Sequence, residues 1–149
     1  MKQLLIGIGS PYGDDQLGWK IIEELEQQTS LHGQMTFYKS KGSGTDWYSL
    51  LAGHDRLVFF DAQISPNPVG SITPIELNEL DQAIAKHSHS THGVSLSESI
   101  LLADSLGLLN MSVQIFGISV GAAPSIDQLS DNLSQNLSSI AAQLLETIK

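Results

Sequence analysis

The sequence predicts a three-layer α/β fold with a mostly parallel sheet. Short apolar runs closed by glycine or acid alternate with longer stretches whose apolar residues recur every three to four positions. The first run, Leu4-Leu5-Ile6-Gly7-Ile8, does not alternate apolar with polar. Both of its faces are therefore expected to be buried, as in a central parallel strand.

Each element follows from its residues. Gln3 to Gly9 is the first strand, and the turn-forming segment Ser10-Pro11-Tyr12-Gly13-Asp14-Asp15 follows it. Leu17, Ile21, Ile22 and Leu25 then recur at helical spacing, with Glu23, Glu24 and Glu26 off that face. Met35 to Tyr38 reads as a second strand and residues 39–44 as a loop. Thr45 or Asp46 is placed to cap a short helix through Leu51. Leu57-Val58-Phe59-Phe60 is the strongest strand, with Asp61 at its end. Ser71 to Leu77 is a further strand, which Pro74 confines to an edge. Val94 to Leu106 reads as a helix with Leu96, Ile100 and Ala103 inward and Gly107 as its stop. Ser112 to Ile118 is the last strand. A final helix is expected from about Ser125 to Ile148, with Leu129, Leu133, Leu137, Ile140 and Leu144 as its apolar stripe. No repeat or linker divides the 149 residues, so 1–149 is read as one domain.

Composition narrows the function. Seven Lys+Arg against sixteen Asp+Glu give a formal charge of −9, which argues against nucleic acid or an anionic membrane as a partner. With no cysteine, disulfides, thiolate metal sites and cysteine nucleophiles are excluded. No apolar run reaches the ~18 residues of a membrane helix, and the N-terminus lacks a secretory signal. The expectation is a cytoplasmic protein.

In open α/β sheets, ligands bind beyond the carboxyl ends of the strands. Asp14 and Asp15 follow the first strand, Asp61 ends the third, and His92 lies ahead of a later helix. Two carboxylates and an imidazole suit a divalent transition metal. Each residue also has a purely structural reading. Asp14 can cap the first helix, Asp15 can sit favourably in its first turn, and Asp61 can cap a loop. His92 can be solvated, and His87 and His89 fit an exposed polar loop. Nucleotide motifs fail: the third glycine after Gly7 and Gly9 comes one place late for G-x-G-x-x-G, and there is no Gly-Lys-Ser/Thr. The serine elbow G-x-S-x-G is absent as well.

Three segments taken together resemble the [NiFe]-hydrogenase maturation endopeptidases. Gly7-Ile8-Gly9-Ser10 followed by Asp14-Asp15-Gln16-Leu17-Gly18 is similar to that family's G-x-G-N, acid-acid and G-x-G signature. Val58-Phe59-Phe60-Asp61-Ala62, with Pro68 to Ser71 after it, is similar to its hydrophobic-Asp-Ala strand and Pro-Gly-Thr turn. Ser90-Thr91-His92-Gly93-Val94-Ser95-Leu96 resembles its Ser-x-His…Leu segment. The resemblance implies a twisted sheet of about five strands between helices, of the phosphorylase/hydrolase-like kind. It implies an endopeptidase that removes the C-terminal peptide of a hydrogenase large-subunit precursor once nickel is inserted. It also implies Asp15, Asp61 and His92 as metal contacts, Asp15 and Asp61 as the catalytic acids, and Asp14 in support. The nickel would be carried by the substrate, with cadmium or zinc able to stand in, and the protease would be a monomer.

The sequence departs from the family pattern in several places. Ser10 stands where the family has Asn, and Gln16 where it often has Gly. Gly42 stands in place of an acid and Trp47 in place of a glycine, and the usual Gln-Pro is missing after Gly117-Ile118. Two other readings remain: a nickel-binding checkpoint protein that uses the same three residues without proteolysis, and a different hydrolase on the same fold.

Overall fold

The computed structural model describes residues 1–41, 45–76, 91–121 and 128–148, with Thr29 and residues 91–95 described through their backbone. Five strands form one sheet: β1 (Gln3–Ile8), β2 (Met35–Ser40), β3 (Arg56–Ile64), β4 (Ile72–Ile75) and β5 (Ser112–Val120), in the order β2-β1-β3-β5-β4. All neighbours are parallel except β4, which runs antiparallel to β5 at the edge. Pro74 sits in this edge strand, where its missing N–H interrupts only one ladder.

Helices α1 (Leu17–Glu26) and α3 (Asp131–Ile148) cover one face and α2 (Thr91–Ser105) the other. The strand pleat sorts the side chains between the two layers. Leu5, Val58, Phe60 and Ala62 pack with Leu17, Ile21, Ile22 and Leu25 of α1 and with Leu133, Ile140 and Leu144 of α3. Leu4, Ile6, Ile8, Leu57 and Phe59 pack with Leu96, Ile100 and Ala103 of α2. β1 is buried along its whole length, as its unbroken apolar run requires. At the end of α2, Gly107 has φ +73°, a left-handed stop that a glycine adopts without a Cβ clash.

Several boundaries differ from those the sequence suggests. β2 continues two residues past Tyr38, because Lys39 and Ser40 pair with Gly7 and Ile8. β3 does not end at Asp61. Its ladder with β5 runs on to Ile64↔Val120, so Asp61 lies inside the strand, paired with Gly117. No side chain caps the segment before Leu51, which is a single 3-10 turn, Tyr48–Leu50; Asp46 is engaged with Ser40 and Tyr38 instead. β5 extends two residues beyond Ile118, and α3 starts at Asp131. The loop residues Gly42, His87 and His89 and the expected helix start at Ser125 lie outside the described residues. No helix among the described residues is long and apolar enough to cross a membrane.

Candidate active site

Chain order places the candidate residues. β1 leads through α1 to β2 on one side, and the next strand, β3, lies on the other side of β1. The carboxyl ends of β1 and β3 therefore diverge into opposite connections at a switch point, the arrangement at which open α/β sheets bind ligands. Asp15 follows β1. Asp61 is one residue beyond the last β1–β3 pair, Gly7↔Phe60, where β3 outruns its neighbour. The two candidate acids thus flank the switch point.

Glycines bring the acidic turn this close. A Cβ at Gly7 would lie 2.1 Å from the Gly18 carbonyl oxygen, and one at Gly18 would lie 2.2 Å from that of Ile8. A Cβ at Gly9 would approach the Asp15 carbonyl oxygen to 2.6 Å. Bare backbone therefore packs on bare backbone, and α1 begins directly on the strand ends. The spacing of Gly7, Gly9 and Gly18 reflects this close approach rather than a phosphate cradle.

Asp15 sits in the 3-10 turn Gly13–Gln16 ahead of α1. Ser10 donates its hydroxyl to Asp15 Oδ2 at 2.6 Å, and the Ser10 N–H donates to the Asp15 carbonyl at 3.0 Å. The short hydroxyl contact is of the charge-assisted kind. Ser10 therefore orients the carboxylate from the position where the resembling family has Asn.

Asp14 does not cap its own helix. It is buried, at 2% exposure, and its Oδ1 accepts the Ser130 N–H at 2.7 Å, just before α3. A carboxylate there satisfies an N-terminal donor of a distant helix and complements its dipole. The turn thus sends one acid down into the scaffold while Ser10 holds the other.

Asp61 is 4% exposed. It shares the parity of Leu57 and Phe59, so it lies on the face that α2 covers. Beneath it, Trp47 is fully buried and meets Phe59 edge-on, with centroids 5.1 Å apart. The tryptophan that replaces a family glycine therefore fills the core under the Asp61 segment. Tyr48 donates its hydroxyl to the Ser99 carbonyl and so ties the same segment to α2; burial pushes its phenol pKa up. His92 lies in the first turn of α2 by its backbone, and its side chain is outside the described residues. Among the described residues no three His, Cys, Asp or Glu side chains form a metal-sized group.

Two features of this region were not legible in the sequence. Asp46 accepts hydrogen bonds at 3.1 Å from Ser40 and Tyr38, and so adds a carboxylate at the end of β2. Burial and Asp46 together push the Tyr38 phenol up. A cleft of about 420 Å³ lies here, between Trp19, Tyr38, Lys39, Lys41 and Asp46. The second feature is Gln63, two residues after Asp61 and on the same face of β3. Strand parity was the only available signal for it.

No family model matches the sequence, and no curated protein matches it. Solved structures do match the fold. The hydrogenase-maturating endopeptidase HybD from E. coli is 18% identical, with 99% of this chain and 92% of that one covered and a TM-score of 0.75. The [NiFe] hydrogenase maturation protease HybD from Thermococcus kodakarensis is 19% identical, with both chains fully covered and a TM-score of 0.74. A hydrogenase 2 maturation peptidase from a Thaumarchaeota archaeon is 24% identical, covers 99% and 98%, and has a TM-score of 0.64. The chain has, from end to end, the fold of the hydrogenase maturation proteases.

Proposed function

We propose that this protein is an endopeptidase that removes the C-terminal peptide of a [NiFe]-hydrogenase large-subunit precursor after nickel has been inserted. The observation that carries the reading is the pair Asp15 and Asp61 at the β1/β3 switch point of a fold shared with maturation proteases along the whole chain. The fold alone hosts other chemistries, so the residues at the switch point bear the weight.

In this reading Asp15, Asp61 and His92 contact nickel that arrives with the substrate. An oxygen, oxygen, nitrogen donor set suits a borderline divalent ion and leaves coordination positions for the precursor's own ligands. Cadmium or zinc would fit the same donors. A divalent ion at this point can polarise the scissile carbonyl or acidify a water molecule. The chain's own contribution is orientation. Ser10 fixes the Asp15 carboxylate, and the strand ladder with the aromatic support under Phe59 fixes Asp61. A precursor without nickel would lack the contact that seats it, so cleavage would wait for the metal. The protease acts in the cytoplasm, as a monomer.

The test is cleavage of purified precursor, nickel-loaded and nickel-free, by the wild type and by Asp61→Ala and His92→Ala. The expected result is processing of the nickel-loaded form only, reduced by roughly 10²-fold or more in both variants. Equal processing of both precursor forms would point to a nickel-independent hydrolase. Nickel binding without any processing would point to a checkpoint protein.

A further inference from the structure

The proposed reaction uses two carboxylates and a histidine, yet the face of the sheet that carries Asp61 holds a second polar group beside it. Gln63 follows Asp61 by two residues in β3, so the strand pleat sets both side chains on the α2 side. The ladder pairs Asp61 with Gly117, and Gly117 has no side chain. The Gln63 carboxamide occupies that space. A Cβ built on Gly117 would lie 2.2 Å from Gln63 Oε1, 2.3 Å from Cδ and 2.8 Å from Nε2. The amide is therefore folded along the sheet, across Gly117, and next to the Asp61 row.

The neighbouring polar groups are occupied with one another. The Ser71 hydroxyl donates to the Pro68 carbonyl at 2.7 Å, and the Ser119 hydroxyl lies at hydrogen-bond distance, 3.2 Å, from the hydroxyls of both Ser71 and Ser65. The Gln63 carboxamide forms no hydrogen bond among the described residues, and the residue is half-buried. A carboxamide presents donors and an acceptor side by side with no charge. That is the pattern complementary to a peptide group.

We infer that the Gln63 carboxamide, held over Gly117, hydrogen-bonds the backbone of the peptide that is cleaved and sets its register against Asp61. This inference rests on the proposed endopeptidase reading. Such a contact is made in the ground state and the transition state alike, so its loss raises KM and spares kcat. Gly117 becomes part of the site by leaving room for the amide.

The experiment is steady-state cleavage of nickel-loaded precursor by wild type, Gln63→Leu, Gly117→Ala and the double variant, with thermal unfolding of each. Gln63→Leu is expected to raise KM about 10-fold with kcat within about twofold, the worth of one or two hydrogen bonds. Gly117→Ala should have the same effect, because its methyl displaces the flexible amide rather than backbone. The double variant should be no worse than Gln63→Leu, since both changes remove one interaction. A wild-type KM in Gln63→Leu would overturn the inference while leaving the endopeptidase reading intact. Additive effects in the double variant, or a loss confined to kcat, would overturn it too. If the wild type cleaves no precursor, the reading itself falls and Gln63's role with it. Should Gly117→Ala fail to fold, Gln63→Leu decides the matter at a half-buried position.

Discussion

The two ends of the sheet hold their partly buried polar groups in different ways. At the amino end, Arg56 opens β3 and is spent on the protein itself. Its guanidinium donates to the Gln3 and Gln114 side chains, from the strands on either side, and to the Ile148 carbonyl at the end of α3. One cation thus joins three strands and a helix terminus, and it complements the negative end of that helix dipole. At the carboxyl end, the polar groups are set in place by short local contacts and by strand pairing. Ser10 aims Asp15, Gly117 makes room for Gln63, and Asp61 sits where β3 outruns β1. Helix α3 spans both ends, with Asp14 at its start and Arg56 at its finish. The same physics clamps strands to a helix terminus at one end and orients the residues of the proposed site at the other.

The sharpest way to break this comparison is to exchange the losses. Asp61→Ala is expected to abolish precursor cleavage while shifting the unfolding midpoint little. Arg56→Ala should do the reverse. It leaves partly buried acceptors on Gln3, Gln114 and Ile148 without their donor, at a cost of about 1–3 kcal/mol, read by denaturant titration, with cleavage per folded molecule unchanged. A stable Arg56→Ala protein with impaired cleavage would mean that the two ends are not separable. Ser10→Ala should lower kcat about 10-fold, consistent with loss of one hydrogen bond to a charged group, and Ser10→Thr should restore much of it. If Ser10→Ala cleaves as the wild type does, Asp15 does not need its orienting partner. The smallest expected effect is Asp14→Ala, which removes the acceptor of the Ser130 N–H and should cost about 1 kcal/mol of stability, seen in thermal unfolding.

The departures from the family pattern have local explanations. Ser10 donates a hydrogen bond to Asp15. Trp47, in place of a glycine, is core, packed on Phe59 and Tyr48. Gly42 lies outside the described residues, and Asp46 supplies a carboxylate close by in sequence, at the end of β2.

Much of this was legible in the residues. The unbroken apolar run of β1, the proline in β4 and the helical spacing of Leu96, Ile100 and Ala103 each state a burial requirement that only one type of element meets. The alternation of elements then forces a layered α/β fold, and the position of Asp15 after the first strand follows from chain order. The boundaries were less legible, because strands end where pairing ends. Lys39 and Ser40 stay in β2 because β1 is there to pair with, and Asp61 lies inside β3 because β5 continues beside it. Partners distant in sequence were hidden for the same reason. Asp14 looked like a cap for the helix after it and instead serves one more than a hundred residues away. Local periodicity and turn chemistry determine which elements form, since those depend on near neighbours. Which acid is held by Ser10, which one braces a helix, and which glycine leaves room for an amide depend on chain segments that meet only once the sheet has closed. Those roles were decided by the tertiary structure alone.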